Sequence, residues 1–386
     1  MGDINFGVIG LGNRGSKFTL NSLLTRTEIN VVMVCDKQGT NFSEFTSRGI
    51  ETVTDYKKLL HSKTIDAVYI ASPDDTHAAI VLEAIKSGKH IICEKPLAIK
   101  ISDLNQIKQS LSNYNKVFQT GYVLRYSPIY YRAKRLVNDG LIGKIVMANS
   151  IDHINYGGYA FFHDWHRKKE NVNTLLLQKA THSLDIVNWI VDAKPIEVVG
   201  MGGLSVFGKQ GGIDRFNNAT MDDLHCNRCK YKYECEESLI SMKRNQGIEW
   251  SREWPDRCVF SSEINVDDHQ TLMIKYDNAT EATYMLCQFA GHYKREFQFF
   301  GSKGELFFDD ANNKLCVHFR NSAQTLEYVS PVLKGHGGGD DELIDDFLRC
   351  IQTKNTPRSN AENAIEVGKL ALVAQSSIEQ QNVLTI

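Results

Sequence analysis

The sequence of 386 residues lacks an uninterrupted apolar run of the roughly 18 residues needed to cross a bilayer, so no membrane span is expected. It also lacks a dominant sign of charge. Its 44 Lys plus Arg stand against 46 Asp plus Glu, which leaves no net field to favour nucleic acid or an anionic membrane. The opening MGDINFGVIGLG enters a strand-like apolar segment at once, without the basic region, apolar core and small-residue cleavage site of an export signal. A cytoplasmic location is therefore expected. Nine cysteines, an odd number, do not suit a disulfide framework and point instead to thiols and a metal. With 42% hydrophobic and 23% charged residues, the chain can bury a substantial core, in two domains, around a small neutral or locally charged ligand.

The first third reads as a nucleotide site. INFGVIGLGNRG is an apolar strand running into Gly10-Leu11-Gly12-Asn13-Arg14-Gly15, and SKFTLNSLL follows with helical spacing. This is G-x-G-x-x-G in the strand-turn-helix setting it requires. Gly10 permits the tight turn, Gly12 lets backbone approach a pyrophosphate, and Gly15 allows close helix packing. A second strand, INVVMVCD, ends in Asp36, at about the 20-residue offset where a carboxylate meets a ribose 2'-hydroxyl. That carboxylate would repel the extra phosphate of NADP, although adjacent Lys37 softens the discrimination, so NAD is the expected cofactor. The alternation continues through TIDAVYIAS, PDDTHAAIVLEAIKSG and KHIICEKP, which predicts a parallel, helix-flanked sheet. Ser72, Pro73, Glu94 and Lys95 then fall at carboxyl ends of strands, where such sheets bind ligands. His77 reads as a structural or cofactor-edge residue.

GVIGLGNRG, SPDDTHAAIVLEAIKSGKHIICEKPLA and GYVLRYSP together resemble the glucose-fructose oxidoreductase, inositol dehydrogenase and MocA family. AFFHDWHR, THSLDIVNW and REFQFFGSKGEL extend the resemblance through nearly the whole chain. It implies an α/β chain: a doubly wound NAD(P)-binding Rossmann domain, placed at residues 1 to 122, and an α+β domain with a large, mostly antiparallel open-faced sheet over 123 to 386. It also implies a homodimer or homotetramer. It further places Lys95 near nicotinamide and substrate hydroxyl, with a cis peptide before the following proline, and suggests a sugar, cyclitol or related polyol as substrate.

The segment LLLQKATHSLDIVNWIV has apolar spacing suited to a partly buried helix. On a regular helix Gln178 and Lys179 would share a face with His182. Oxidising an alcohol needs a proton acceptor, for which His182 is the candidate, while Lys95 polarises the oxygen. Many members of the resembled family place an aspartate four residues before this histidine. Here Gln178 stands there, so Lys179 either polarises a substrate oxygen or joins Gln178 in recognising a sugar. Asp185 is expected to be exposed or capping. Arg125, Tyr156, His163, Trp165 and Arg167 are candidate substrate or cofactor-edge contacts.

A polar excursion at about 214 to 262 contains HCNRCKYKYEC, and Cys258 returns in WPDRCVF. Cys226, Cys229, Cys235 and Cys258 supply four soft ligands, enough for a closed, structural zinc site that leaves no position for substrate. His225 in place of one cysteine, an iron-sulfur cluster and free thiols are the alternatives, and Tyr231, Tyr233, Trp250 and Trp254 read as an aromatic shield. The other cysteines read as core thiols. HGGGDDELIDDF reads as a polar turn before a helix. The reading that follows is NAD-dependent hydride transfer to or from a carbohydrate hydroxyl. Its alternatives are glycoside cleavage through transient oxidation and an NAD- or sugar-sensing regulator.

Overall fold

The computed structural model describes residues 3–217, 221–246, 255–331 and 333–386. Trp250 and Trp254 lie outside these residues. The chain divides into two compact units. The first comprises Met1–Asp139, Leu184–Ile190 and Val329–Lys369, and the second Gly140–Ser183, Val191–Tyr328 and Leu370–Ile386.

The first unit contains a six-stranded sheet of β1 (Ile4–Ile9), β2 (Ile29–Cys35), β3 (Glu51–Val53), β4 (Ala67–Ile70), β5 (His90–Cys93) and β6 (Phe118–Thr120). Their order is β3-β2-β1-β4-β5-β6, and every neighbouring pair is parallel. Strands buried on both faces read as continuous apolar runs, as the fully buried AVYI of β4 does. The expected alternation is therefore observed. The sequence reading ended this domain at residue 122, whereas the contacts also bring 329–369 into the unit. The cause is apolar burial: Leu343, Ile344, Phe347 and Leu348 of the helix Gly339–Thr353 join one core with Phe6, Val8 and Tyr69.

The second unit is built on a nine-stranded sheet of β7 (Ile145–His153), β8 (Pro195–Gly203), β9 (His269–Tyr276), β10 (Glu281–Cys287), β11 (Lys294–Gly301), β12 (Gly304–Asp309), β13 (Lys314–Phe319), β14 (Thr325–Val329) and β15 (Leu384–Thr385). Its order is β14-β13-β12-β11-β7-β10-β9-β8-β15. β7 and β10 run parallel, and the pairs flanking them are antiparallel. β9 and β10 alternate buried and exposed residues, the period-2 signature of a sheet with one covered face. Met147, Met201, Met273 and Met285 stand exposed on the outer face. Between β8 and β9, Asp268 fixes the base of the long excursion: one of its carboxylate oxygens accepts the backbone N–H groups of Ser205, Val206 and Phe207 at 3.0, 2.7 and 3.0 Å.

Candidate functional site

In the first unit the glycine loop leaves β1 through Gly10, whose φ of +94° is open to glycine without strain. A Cβ on Gly15 would lie 1.9 Å from the Gly10 carbonyl oxygen, so the helix Asn13–Phe18 can start only because that position is glycine. At Gly12 a Cβ would meet nothing within 4 Å. The loop thus presents open backbone at the one glycine its own packing does not explain, the cradle a pyrophosphate requires. Asp36, at the end of β2, accepts the Leu11 N–H at 3.1 Å through one oxygen and the Gln38 and Thr40 N–H groups at 3.0 and 3.1 Å through the other. The Leu11 carbonyl is held by Ser16 Oγ at 2.7 Å and Asn41 Nδ2 at 2.8 Å. These residues fit a dinucleotide.

At the neighbouring strand ends, Glu94 accepts Arg14 Nε at 2.7 Å and the Tyr69 hydroxyl at 2.8 Å. Burial pushes the Glu94 carboxyl up, but the Arg14 guanidinium and these hydrogen bonds outweigh it and hold the group below the usual range. The other end of the Arg14 fork donates to Asp340 Oδ1 at 2.8 Å. Lys95 follows Glu94, and the Lys95-Pro96 peptide is cis, as expected. His77 is buried with its ring nitrogens 2.7 Å from the Pro96 carbonyl and 2.8 Å from the Ser72 carbonyl. It staples two strand ends together, the first of the two roles, structural or cofactor-edge, read for it.

In the second unit the segment around Lys179 departs from a regular helix. Leu176–Ala180 is a π-helical turn, and the α-helix Thr181–Val191 begins after it. The expected shared face of Gln178, Lys179 and His182 assumed α-spacing throughout. The wider turn carries Gln178 and Lys179, while half-buried His182 lies in the first α-turn. Lys179 is buried, donates to the Tyr156 hydroxyl at 2.8 Å and lies 5.4 Å from that ring's centroid. Burial and nearby Arg295 together bring its amine down to about 7, against the opposing pull of Asp152 and Asp310. Tyr156 in turn stacks on Tyr293, 6.2 Å away.

Asp152, which the sequence reading did not single out, anchors this centre. It is buried and accepts Ser183 Oγ at 2.7 Å, the Tyr284 hydroxyl at 2.8 Å and Arg295 Nε at 2.8 Å. Arg295 of β11 sits directly opposite Asp152 of β7 in the sheet register. Burial would raise the Asp152 carboxyl, yet Arg295 and Lys179 hold it below its ordinary value. The available signal was an aspartate and an arginine at inward positions of alternating strands.

Several expectations change. Asp185 is neither exposed nor a cap. It is buried and receives both arms of Arg125, each at 2.7 Å. Burial raises its carboxyl against the pull of Arg125. Arg125 also donates to the Arg358 carbonyl at 2.8 Å and to Asn363 Oδ1 at 3.1 Å, which commits its guanidinium to protein groups rather than to a ligand. Arg167 is turned inward too, onto Glu263 at 2.6 Å and the Phe162 carbonyl at 3.1 Å. His163 is buried between the carbonyls of Arg257 and Glu237, so it secures the excursion. Trp165 stacks on His166 with centroids 3.9 Å apart.

Cys226, Cys229, Cys235 and Cys258 line one cavity together with His163, His225 and Glu237. Among the described residues, however, no group of three or more His, Cys, Asp or Glu side chains is arranged to hold a metal ion. The zinc centre suggested by the spacing is therefore not shown; a cavity walled by four thiols is. His225 meets Asp256 at 2.5 Å and Tyr231 stacks on Phe216. No helix among the described residues is long and apolar enough to cross a membrane.

Comparison with known proteins accords with this geometry. Residues 4–122 match the description "Oxidoreductase family, NAD-binding Rossmann fold", and residues 134–386 match "Oxidoreductase family, C-terminal alpha/beta domain". The chain is 26% identical over 319 residues to YteT of Bacillus subtilis, named as an oxidoreductase, covering 76% of this chain and 74% of that protein. It is 27% identical over 190 residues to an inositol 2-dehydrogenase/D-chiro-inositol 3-dehydrogenase of Lactiplantibacillus plantarum, covering 48% of this chain and 52% of that one. Among solved structures, a levoglucosan dehydrogenase in complex with NADH and levoglucosan superimposes with a TM-score of 0.76 at 18% identity, covering 100% of this chain and 99% of its own. An oxidoreductase domain protein from Kribbella flavida gives 0.78 at 18% identity, with 100% of both chains covered. At such identity the structures speak for the fold alone, but with both family descriptions matched across most of its length, the chain belongs to the glucose-fructose oxidoreductase, inositol dehydrogenase and MocA family of NAD-binding oxidoreductases.

Proposed function

We propose that this oxidoreductase transfers hydride reversibly between NAD and a hydroxyl-bearing carbon of a sugar, cyclitol or glycoside. The observation that carries the reading is the joint presence in one unit of the open glycine loop pinned by Asp36 and the strand end Glu94-Lys95-cis-Pro96. NAD supplies the hydride acceptor when bound. Gly10, Leu11, Gly12, Asn13, Arg14 and Gly15 form its phosphate loop, and Asp36, Lys37, Ser72, Pro73, His77, Glu94 and Lys95 surround the rest.

Lys95 polarises the reacting oxygen and His182 exchanges its proton. Lys179 stands next to the position where a carboxylate would support an imidazolium, and its charge acts in the opposite sense. Protonated, it opposes formation of an imidazolium; neutral above about pH 7, it permits one. Tyr156, Trp165 and Gln178 bind the substrate, the inward Arg125 holds Asp185 within the first unit, and the inward Arg167 holds the segment carrying Trp165 through the Phe162 carbonyl and Glu263. Levoglucosan and inositol, named for structural and sequence relatives, are the first compounds to try.

A zinc ion would suit the four-cysteine cavity, because backbone N–H groups already point at its sulfurs: Leu239 at Cys226, Glu237 and Ser238 at Cys235, Phe260 at Cys258. Elemental analysis of the purified chain should find zinc, and a metal-free chain would remove it from the account. The exposed methionine face of the nine-stranded sheet would meet a second copy of the chain. Light scattering should give a homo-oligomer. The function itself is tested by incubating the protein with NAD and a panel of inositols, levoglucosan, aldoses and glycosides while following NADH and products. Glycoside loss without net NADH would replace hydride transfer by transient oxidation.

A further inference from the structure

The segment His336-Gly337-Gly338-Gly339-Asp340 has no part in the reading above, yet it reaches the phosphate loop within the same unit. Asp340 accepts Arg14 at 2.8 Å through one oxygen and meets His336 Nδ1 at 3.2 Å through the other. Arg14 is the fifth residue of the glycine loop and also donates to Glu94, the neighbour of Lys95. One guanidinium therefore ties together three places far apart in sequence: the start of the first helix, the strand end bearing Lys95, and the start of the helix Gly339–Thr353. Its Cζ lies 4.7 Å from the centroid of the Phe18 ring, a further contact that favours this placement. The glycines make the reach possible. Gly338 has a φ of +85°, and a Cβ on Gly339 would lie 2.3 Å from the Val123 carbonyl oxygen.

We propose that Asp340 is a cofactor-positioning residue that acts through Arg14, holding the glycine loop and the Lys95 strand end in register for the pyrophosphate. Because two carboxylates already neutralise Arg14, its role is to brace the loop rather than to supply the phosphate's counter-charge. This inference rests on the nucleotide reading of the loop. It predicts a loss confined to ligands that carry the pyrophosphate.

The test is equilibrium binding of NADH, ADP-ribose and adenosine to the full chain and its variants. Asp340→Asn should weaken NADH and ADP-ribose by about tenfold and leave adenosine unchanged. Asp345→Asn is the control, since Asp345 pairs with Arg26 from the same helix and away from the loop; it should bind like the wild type. Arg14→Lys keeps the charge but loses the two-sided fork, so it should show the same selective loss and serves if Asp340→Asn does not fold. Wild-type affinity in either folded variant, or equal weakening of all three ligands, would overturn the proposal. Failure of the wild-type chain itself to bind NADH would overturn the nucleotide reading and this inference with it.

Discussion

The nucleotide end of the first unit draws its defining groups from short contiguous stretches: residues 10–15, Asp36 and residues 94–96. The polar centre of the second unit draws its groups from β7, the residues after it, β10, β11, a π-helical turn and the start of the α-helix that follows it, each contributing one side chain. Backbone geometry dominates the first region, and glycine serves because a side chain would collide or fill the cradle. Desolvated charge dominates the second, where burial and two cations against two carboxylates decide what Lys179 can do. Contiguous geometry leaves a motif, whereas an assembled charge cluster leaves only single polar residues at inward positions.

That contrast can be broken by substitution. The largest effect is expected at Arg125→Ala. It leaves Asp185 buried without its bidentate partner and should cost about 3 to 5 kcal/mol of stability, read by thermal or denaturant unfolding. A variant as stable as the wild type would return Arg125 to the list of ligand contacts. Next comes Lys179→Met, which should lower kcat for alcohol oxidation by about 100-fold. It should also abolish the pH dependence. In the wild type, oxidation should rise as pH passes about 7, because the amine must lose its proton for the centre to accept one. An unchanged profile in the variant would assign that titration to another group.

Gly12→Ala sharpens the comparison from the other side. Nothing within 4 Å opposes the new Cβ, so the chain should fold normally, while NADH affinity should fall by about tenfold because the cradle is filled. Normal binding would mean that the open space at Gly12 faces no ligand. The smallest effect is expected at Lys275→Ala, whose partner Glu197 lies 3.3 Å away on an exposed sheet face; it should change stability by less than about 1 kcal/mol.

Legibility followed the same division. The parallel sheet, the glycine loop and Asp36 could be read because local periodicity or a fixed motif specifies each, whereas the cis peptide at Lys95-Pro96 was expected only from the family resemblance. Lys179 was singled out, but its surroundings were not. Asp152 and Arg295 are 143 positions apart and meet only through strand register. Asp185 was misplaced because an aspartate on an amphipathic helix normally faces water, and its partner Arg125 is 60 positions away. The return of residues 329–369 to the first unit was hidden for a related reason: the helix Gly339–Thr353 is amphipathic, and amphipathicity does not say which core receives it. The cysteine spacing suggested a shared site, and the structure gathers all four around one cavity without arranging a ligand set.

The proposed reaction is the oxidation of a carbohydrate hydroxyl with NAD. The most direct measurement follows NADH formation and product mass together as the purified protein is offered NAD, and separately NADP, with inositols, levoglucosan and simple sugars. The account predicts that NADH accumulates with a product two hydrogens lighter than its substrate, and that NAD is preferred because Asp36 stands at the end of β2. Tight NADH binding with neither NADH formation nor an oxidised product would contradict it.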